Sequence, residues 1–322
     1  MARYLLRRLG FALLLVLVVS SASLVLTRLA PGDFTMEQGT TIDAATRAKL
    51  RAELGLDRSI AAQYVSWLGG VVRLDFGRSL LYSRPVNALI GERALNTAVL
   101  ASLALVIATF VGIPLGVYSG SRRGGAGRSI IRVLSVVALS VPPLIGSLAF
   151  VLLAARTGWF PVGGMNSVGG AQMTWAVWLA DLARHLPMPA LALALPLAAT
   201  LERLQSQATE EALREPFVAA SRARGVTELK ALTRHAFPAS LRPVLGLYGV
   251  MIGSLFSGSF IVEVVTSWPG LGRLMFDALK ARDLYLVAGC AATGAVFLAA
   301  GTLIADALLA FTDPRVSLED RG

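Results

Sequence analysis

Charge is scarce in this chain. Asp, Glu, Lys and Arg together make up 16% of the 322 residues, whereas a soluble domain carries about 25%. The deficit points to lipid as the solvent for much of the chain. Cysteine is nearly missing as well. The single Cys290 lies inside an apolar run, so no internal disulfide can form, and it reads as a small packing residue. Lys49, Lys230 and Lys280 are the only lysines and none follows a glycine, which excludes the phosphate-binding loop that ends in Gly-Lys-Ser/Thr. The only two histidines, His185 and His235, stand alone and read as interfacial polar residues. With no HExxH and no paired CxxC there is no zinc-site spacing, so no metal is expected. No G-x-S-x-G nucleophile elbow occurs either. A catalytic set is therefore absent, and a membrane-embedded hydrolase has little support.

What is present is apolar length. Hydrophobic residues make up 55% and mean hydropathy is +0.65. The formal charge of +10 could suggest nucleic acid, but the arginines cluster beside long apolar runs, as membrane orientation requires. No stretch interleaves basic residues with exposed aromatics, so nucleic acid is excluded as a partner and the bilayer takes its place. Arg3, Arg7 and Arg8 precede the uncharged run Leu9 to Thr27. That run exceeds the roughly 7–15 apolar residues of a signal peptide, and the chain continues with Arg28 and Pro31, so it is read as an uncleaved first span.

A helix needs about 20 residues to cross the hydrocarbon. Gaps between ionisable residues give six such spans: Leu9 to Thr27, Ala94 to Ser121, Val133 to Ala155, Leu186 to Leu201, Pro243 to Val262 and Leu284 to Ala305. The expected fold is an all-α membrane protein of six transmembrane helices. Pro196 should kink the fourth, whose cytoplasmic end should run past Glu202. Orientation follows from the basic residues. With the N-terminus inside, the cytoplasmic segments hold sixteen arginines and lysines and the two short outer loops hold five. That asymmetry puts both termini inside, since the long segment from Arg28 to Arg93 escapes the rule. The chain divides into a first span (1–30), an extracytoplasmic insertion (31–93), a core of spans (94–313) and a cytoplasmic tail (314–322). In the insertion, Asp43 to Leu54 reads as a helix stopped by Gly55, and Gln63 to Val72 as a short apolar stretch around Trp67. It is either a cap on the bundle or part of a docking surface for a soluble partner.

The cytoplasmic loop 202–242 between spans four and five is too long for a simple connection. Glu210 to Arg224 is helix-forming, with Leu213, Phe217 and Ala220 on one apolar stripe. Arg222 and Arg224 suit its last turn, and Gly225 supplies a left-handed stop. Thr227 can cap a second helix through Ala236, ended by Pro238. Helix, glycine turn and helix could form an interfacial hairpin or a docking element for a cytoplasmic protein. Further on, SWPGLGRL (Ser267 to Leu274) sets Trp268 at a membrane interface and breaks the helix with Pro269, Gly270 and Gly272. It is either a re-entrant turn or an outer gate. Glu263, the acid nearest to it, reads as a structural hydrogen-bonding group.

EALREPFVAASRARG (Glu211 to Gly225) resembles the EAA loop of permease subunits in ATP-binding-cassette importers, and RHAFPASLRPV (Arg234 to Val244) is similar to its continuation. Glu211 and Ala212 match the start of the motif and Gly225 its glycine, while Leu213 replaces the second alanine, as in the peptide branch. Pro216 should bend the entry to the helix. TRLAPGD (Thr27 to Asp33), LGLDRSIAAQYVSWL (Leu54 to Leu68), DFGRSLLYSRPV (Asp75 to Val86), GIPLG (Gly112 to Gly116), SVPP (Ser140 to Pro143), GWFP (Gly158 to Pro161), SWPGLGRL and DPRV (Asp313 to Val316) match the family in order along nearly the whole chain. The resemblance implies the B-type subunit of a dipeptide, oligopeptide or nickel permease in the inner membrane.

It further implies that Glu211, Ala212, Leu213, Phe217, Ala220, Arg224 and Gly225 belong to the coupling helix that docks on an ATPase subunit. The partners implied are a second permease subunit (a heterodimer), two cassette ATPase subunits and an extracytoplasmic solute-binding protein. This chain would bind no cofactor of its own; ATP and Mg would sit on the ATPase subunits. From helical spacing, Ser254, Ser257 and Ser259 are candidates for the path, with Trp268, Pro269 and Gly270 at a gate. The alternatives are a nickel or other small-solute permease of the same family, or an ion-coupled secondary transporter. The latter would normally carry charges at span centres, where the sequence has none.

Overall fold

A computed structural model describes residues 2–30, 34–37, 45, 49, 51–52, 57–71, 73, 75–122, 124–167 and 174–312. Among these residues the structure is helical, with one isolated bridge between Arg78 and Pro85. The helices are α1 (Ala2–Leu29), α2 (Phe34–Glu37), α3 (Ile60–Val71), α4 (Val86–Ser121), α5 (Ala126–Ser140), α6 (Pro143–Thr157), α7 (Trp175–His185), α8 (Pro187–Ala212), α9 (Pro216–Ala223), α10 (Glu228–Lys230), α11 (Phe237–Leu245), α12 (Tyr248–Val265), α13 (Leu271–Lys280) and α14 (Leu284–Thr312). Four stretches are long and apolar enough to cross a membrane: Gly10–Leu29, Val86–Ser121, Tyr248–Val265 and Leu284–Ile304. Two bent pairs, α5 with α6 and α7 with α8, raise the number to six if each pair counts as one span.

The expected third span, Val133 to Ala155, is not one helix. It is broken between α5 and α6 by a bend of 103°. The cause is the Pro142–Pro143 pair. Pro142 forces Val141 out of the helical region, to φ −87° and ψ 114°, as a residue before proline prefers, and Pro143 restarts the chain at the first turn of α6. The fourth span also begins earlier than expected. α7 precedes it with a 45° bend at Leu186, and α8 then carries Pro196 inside and runs past Glu202, as expected, to Ala212. The second span starts eight residues before Ala94. Its 36 residues measure about 54 Å at 1.5 Å each, beyond the roughly 30 Å of hydrocarbon. Ionisable residues mark membrane depth, and nothing in Glu92 or Arg93 stops a helix. The fifth span starts later, at Tyr248 instead of Pro243.

The chain divides into two compact units: Met1–Ala98 with Pro269–Ala299, and Val99–Trp268 with Ala300–Gly322. In the first, Trp67 of α3 is buried against Leu24 and Ala288, and Tyr64 shares a hydrogen bond of 3.0 Å with Ser21 of α1. The apolar stretch read around Trp67 is thus a helix closed on the first span. The helix expected over Asp43 to Leu54 falls almost wholly outside the described residues. Asp283 organises the rest of this unit. Its carboxylate accepts from Ser79 Oγ at 2.6 Å, from the Leu81 amide at 3.0 Å and from the Leu286 amide at 3.1 Å, capping α14 while holding the 75–85 segment.

In the second unit α8 is the hub. Ala190, Leu193, Ala194, Ala198 and Leu201 on α8 pack with Leu100, Ala104 and Ala108 of α4, Tyr248, Met251 and Leu255 of α12, and Trp268. Gly112, Gly116 and Gly120, spaced at four, let the α4 backbone lie directly on α8. A Cβ at these positions would stand 2.5 Å from the Ala198 carbonyl oxygen, 2.6 Å from Gln205 Cβ and 2.3 Å from the Ser206 carbonyl oxygen. In a bilayer such small-residue ridges are a main source of helix association, because lipid offers no hydrophobic drive between apolar helices.

Candidate functional site

The 202–242 loop is built from the end of α8 onward. The sequence suggests one helix from Glu210 to Arg224, but the structure interrupts it. α8 stops at Ala212, Leu213 to Glu215 form a turn, and α9 begins at Pro216. The reason is again local. Glu215, preceding a proline, is extended at φ −65° and ψ 141° and becomes the N-cap of α9. The break rotates the expected stripe. Val218 and Ser221 of α9 are buried with Ala212 and Ala231, while Phe217, at 46% exposure, and Ala220 point outward and Leu213 is half-buried.

Gly225 adopts φ +86° and ends the helix with the left-handed turn expected of it. Arg224 precedes it as the C-cap, and both are exposed, as is Glu211. Thr227 is extended at the N-cap position of α10, although its side chain makes no capping hydrogen bond. The second helix does not stop at Pro238. A π-helical turn over Ala231–Ala236 leads straight into α11, with the Phe237 amide reaching back five residues to Leu232. The wider turn relieves the clash that a proline ring makes with the carbonyl four residues earlier, so Pro238 sits in the first turn of α11.

Below the turn the loop is tied to its surroundings by charge. Glu210 accepts from Arg128 of α5 at 2.8 Å and from Arg214 at 2.7 Å, and the Arg128 hydrogen bond holds its carboxyl below the ordinary carboxylate range. Arg222 reaches Glu228 across the Gly225 turn at 2.9 Å.

Sequence spacing did not expose the polar seam on α8. Glu202, 3% exposed, accepts from Ser119 Oγ of α4 at 2.5 Å and from Ser135 Oγ of α5 at 2.7 Å. One turn later Gln205 Nε2 donates to Ser240 of α11 at 2.8 Å and to Thr209 at 3.0 Å. Glu202, Gln205 and Thr209 recur at i, i+3 and i+7. That helical polar stripe was the available signal. Treating Glu202 as the end of a span concealed it.

The path candidates separate. Ser254 and Ser257 lie on one exposed face of α12, whereas Ser259 is buried on the packed side and bonds back to the Phe256 carbonyl. Two residues on, at 100° each, is more than half a turn, so 257 and 259 cannot share a face. Trp268 is fully buried in the core of the second unit. In the first unit, Pro269 offers its carbonyl to Asn96 Nδ2 at 2.8 Å and Gly270 caps α13 in extended conformation. Gly272 does not break a helix. It lies in the first turn of α13, after the break that Pro269 and Gly270 make. Glu263 is fully buried near the end of α12, and His185 is buried with Nδ1 2.8 Å from the Asp181 carbonyl.

Helices of membrane-crossing length joined to a folded loop define an integral membrane protein. Residues 112–318 match the family described as "Binding-protein-dependent transport system inner membrane component", and residues 1–100 match its N-terminal counterpart. The chain belongs to this family and is a multi-pass protein of the inner membrane. It is 33% identical to the oligopeptide transport system permease protein AppB of Bacillus subtilis, over 98% of this chain and 99% of that one. It is 32% identical to the oligopeptide transport system permease protein OppB of Mycobacterium bovis, with the same coverage.

Proposed function

We propose that this chain is one permease subunit of an importer that carries short peptides inward, driven by ATP hydrolysis on partner subunits. The observation that carries the reading is the loop after α8. Its buried side is fixed by Val218, Ala231 and Ala236, and its outward side presents Phe217 beside Ala220 and Arg224. An exposed aromatic beside an arginine at the end of a helix is the composition of a protein–protein contact. The partners are a second permease subunit, two cassette ATPases and a solute-binding protein outside. ATP and Mg sit on the ATPases, since this chain has no glycine-lysine phosphate loop. The peptide class is supported by relatives named as oligopeptide permeases, similar over almost their full length. The physics is compatible. Charged peptide termini cannot pass through hydrocarbon, and the exposed face of α12 offers Ser254 and Ser257 instead of fixed charge. The outer break at Trp268, Pro269 and Gly270 is the matching gate candidate, and Ser259 supports the same helix from its packed side.

A strain lacking the gene should lose growth on a di- or oligopeptide that supplies a required amino acid, while growth on the free amino acid persists. If peptide uptake is unchanged and nickel or another small solute fails instead, the peptide reading is wrong and the permease reading stands. The purified chain alone should not hydrolyse ATP. Turnover without cassette ATPases would refute the subunit role.

A further inference from the structure

We infer that Glu202 is a positioning residue of the transport cycle: it joins α4 and α5 to α8 so that the three move as one piece with the cytoplasmic loop. The inference rests on the reading of 202–242 as the energy-coupling loop. Only Leu213 to Glu215 separate the end of α8 from α9, so a displacement of α9 is delivered first to α8. Whether it goes further depends on what α8 is fastened to.

The fastening is specific. The two carboxylate oxygens of Glu202 each accept a hydroxyl from a different helix, Ser119 on α4 at 2.5 Å and Ser135 on α5 at 2.7 Å. The group lies in the wall of a cavity of about 710 Å³ whose other lining is apolar, including Leu134, Val137, Phe150 and Leu195. In that setting little water competes for the hydrogen bonds, and an unpartnered carboxylate would be costly. Among the described residues no cation lies within ion-pairing distance of Glu202, so the two serines are the partners that hold it.

Two further features act on the same helix. Gln205 fastens α8 to Ser240 on α11, and Glu210 fastens it to Arg128 on α5. Gly112, Gly116 and Gly120 bring the α4 backbone against that of α8, where any Cβ would meet an atom at 2.6 Å or less. An interface with backbone in contact and no long side chains between has no rotamers through which to slide. Glu202 sits within the glycine contact, its carbonyl 2.7 Å from the Cβ position of Gly116. A push on α9 is therefore transmitted to the cytoplasmic ends of α4 and α5. Without the carboxylate, the glycine contact with α4 remains, but α5 is left with the partly exposed Arg128–Glu210 pair as its polar tie to α8, and much of the push on α5 is lost.

The test uses the full complex of this chain with its second permease, both ATPases and the binding protein in lipid nanodiscs and proteoliposomes. Uptake of labelled trialanine and ATP hydrolysis are read together. Glu202→Ala should assemble and still hydrolyse ATP, while uptake per ATP falls about tenfold or more, within the usual range of coupling between sites. Glu202→Gln, whose amide can accept from one serine and donate to the other, should keep uptake per ATP within about twofold of wild type. Equal loss of uptake and hydrolysis by an assembled Glu202→Ala complex would reduce Glu202 to a structural residue and overturn the inference. So would an unchanged ratio.

A second arm is independent of the solute. With Cys290→Ser, spin labels at Ser129 on α5 and Ala219 on α9 should keep one separation, within about 2 Å, between nucleotide-free and vanadate-trapped states, a change no larger than an ordinary helix shift. In Glu202→Ala the separation should shift or broaden on trapping. A larger change in the wild-type background, or none caused by the substitution, overturns the joint. If the wild-type complex takes up no trialanine, the peptide reading fails, and the label separations still decide the role of Glu202.

Discussion

At the scale of single residues, the two kinds of glycine in this chain have opposite reasons for being glycine. Around Gly225 a Cβ would meet nothing within 4 Å, yet φ is +86°. Around Gly116 φ is ordinary, and a Cβ would collide with α8. A β-branched residue at 225 therefore costs backbone strain alone, of order 1–3 kcal/mol, confined to an exposed turn. Gly225→Val should insert into the membrane at wild-type level and lose association with the ATPase subunits, measured by co-purification. Normal co-purification and transport would mean that the turn has no part in docking. Sequence alone marked Gly225 correctly, because a glycine after an arginine-rich last turn is a local signal. It did not mark Gly112, Gly116 and Gly120, because their reason is another helix.

At the scale of elements, prolines decided more than hydrophobic length did. The Pro142–Pro143 pair turned one expected span into α5 and α6, and Pro216 split one expected loop helix into the end of α8 and α9. Pro238, expected to end a helix, did not, because a π-turn shifted the backbone in front of it. The loop is tied to α5 through Glu210 and Arg128, and this tie is pH-dependent. The folded-state pKa of Glu210 is lowered, first by the Arg128 hydrogen bond. The sign is then fixed: the stabilisation is present above the ordinary carboxylate pKa and is lost as pH falls through the lowered folded value. The pair is partly exposed, so the effect is small. Melting temperatures of the purified chain between neutral and acid pH should show a shallower acid decline in Glu210→Gln than in wild type. Identical pH profiles would show that the tie contributes nothing.

For the whole molecule, arginine asymmetry and span number make a joint prediction. A compartment reporter fused after Thr312 and one inserted at Ser59 should report opposite sides, cytoplasmic for the first and extracytoplasmic for the second. The same side from both would sink the topology. The four unbroken helices become six spans if α5 with α6, and α7 with α8, each cross once; opposite sides are expected for four spans as for six, and the same side only if one bent pair crosses and the other does not.

The sequence by itself determined the solvent of the chain, the approximate number of apolar stretches, the family and the glycine turn of the loop. Each of these depends on composition or on neighbours within a few residues. The tertiary structure alone decided which way α9 faces, that Ser259 is the packed serine of α12 while Ser257 is exposed, and that Glu202 is held by Ser119 and Ser135. The physical reason is sequence distance. Ser119 is 83 residues from Glu202 and Ser135 is 67 residues away, and no local periodicity can say which serine a buried carboxylate will meet once a glycine ridge has brought two helices into contact.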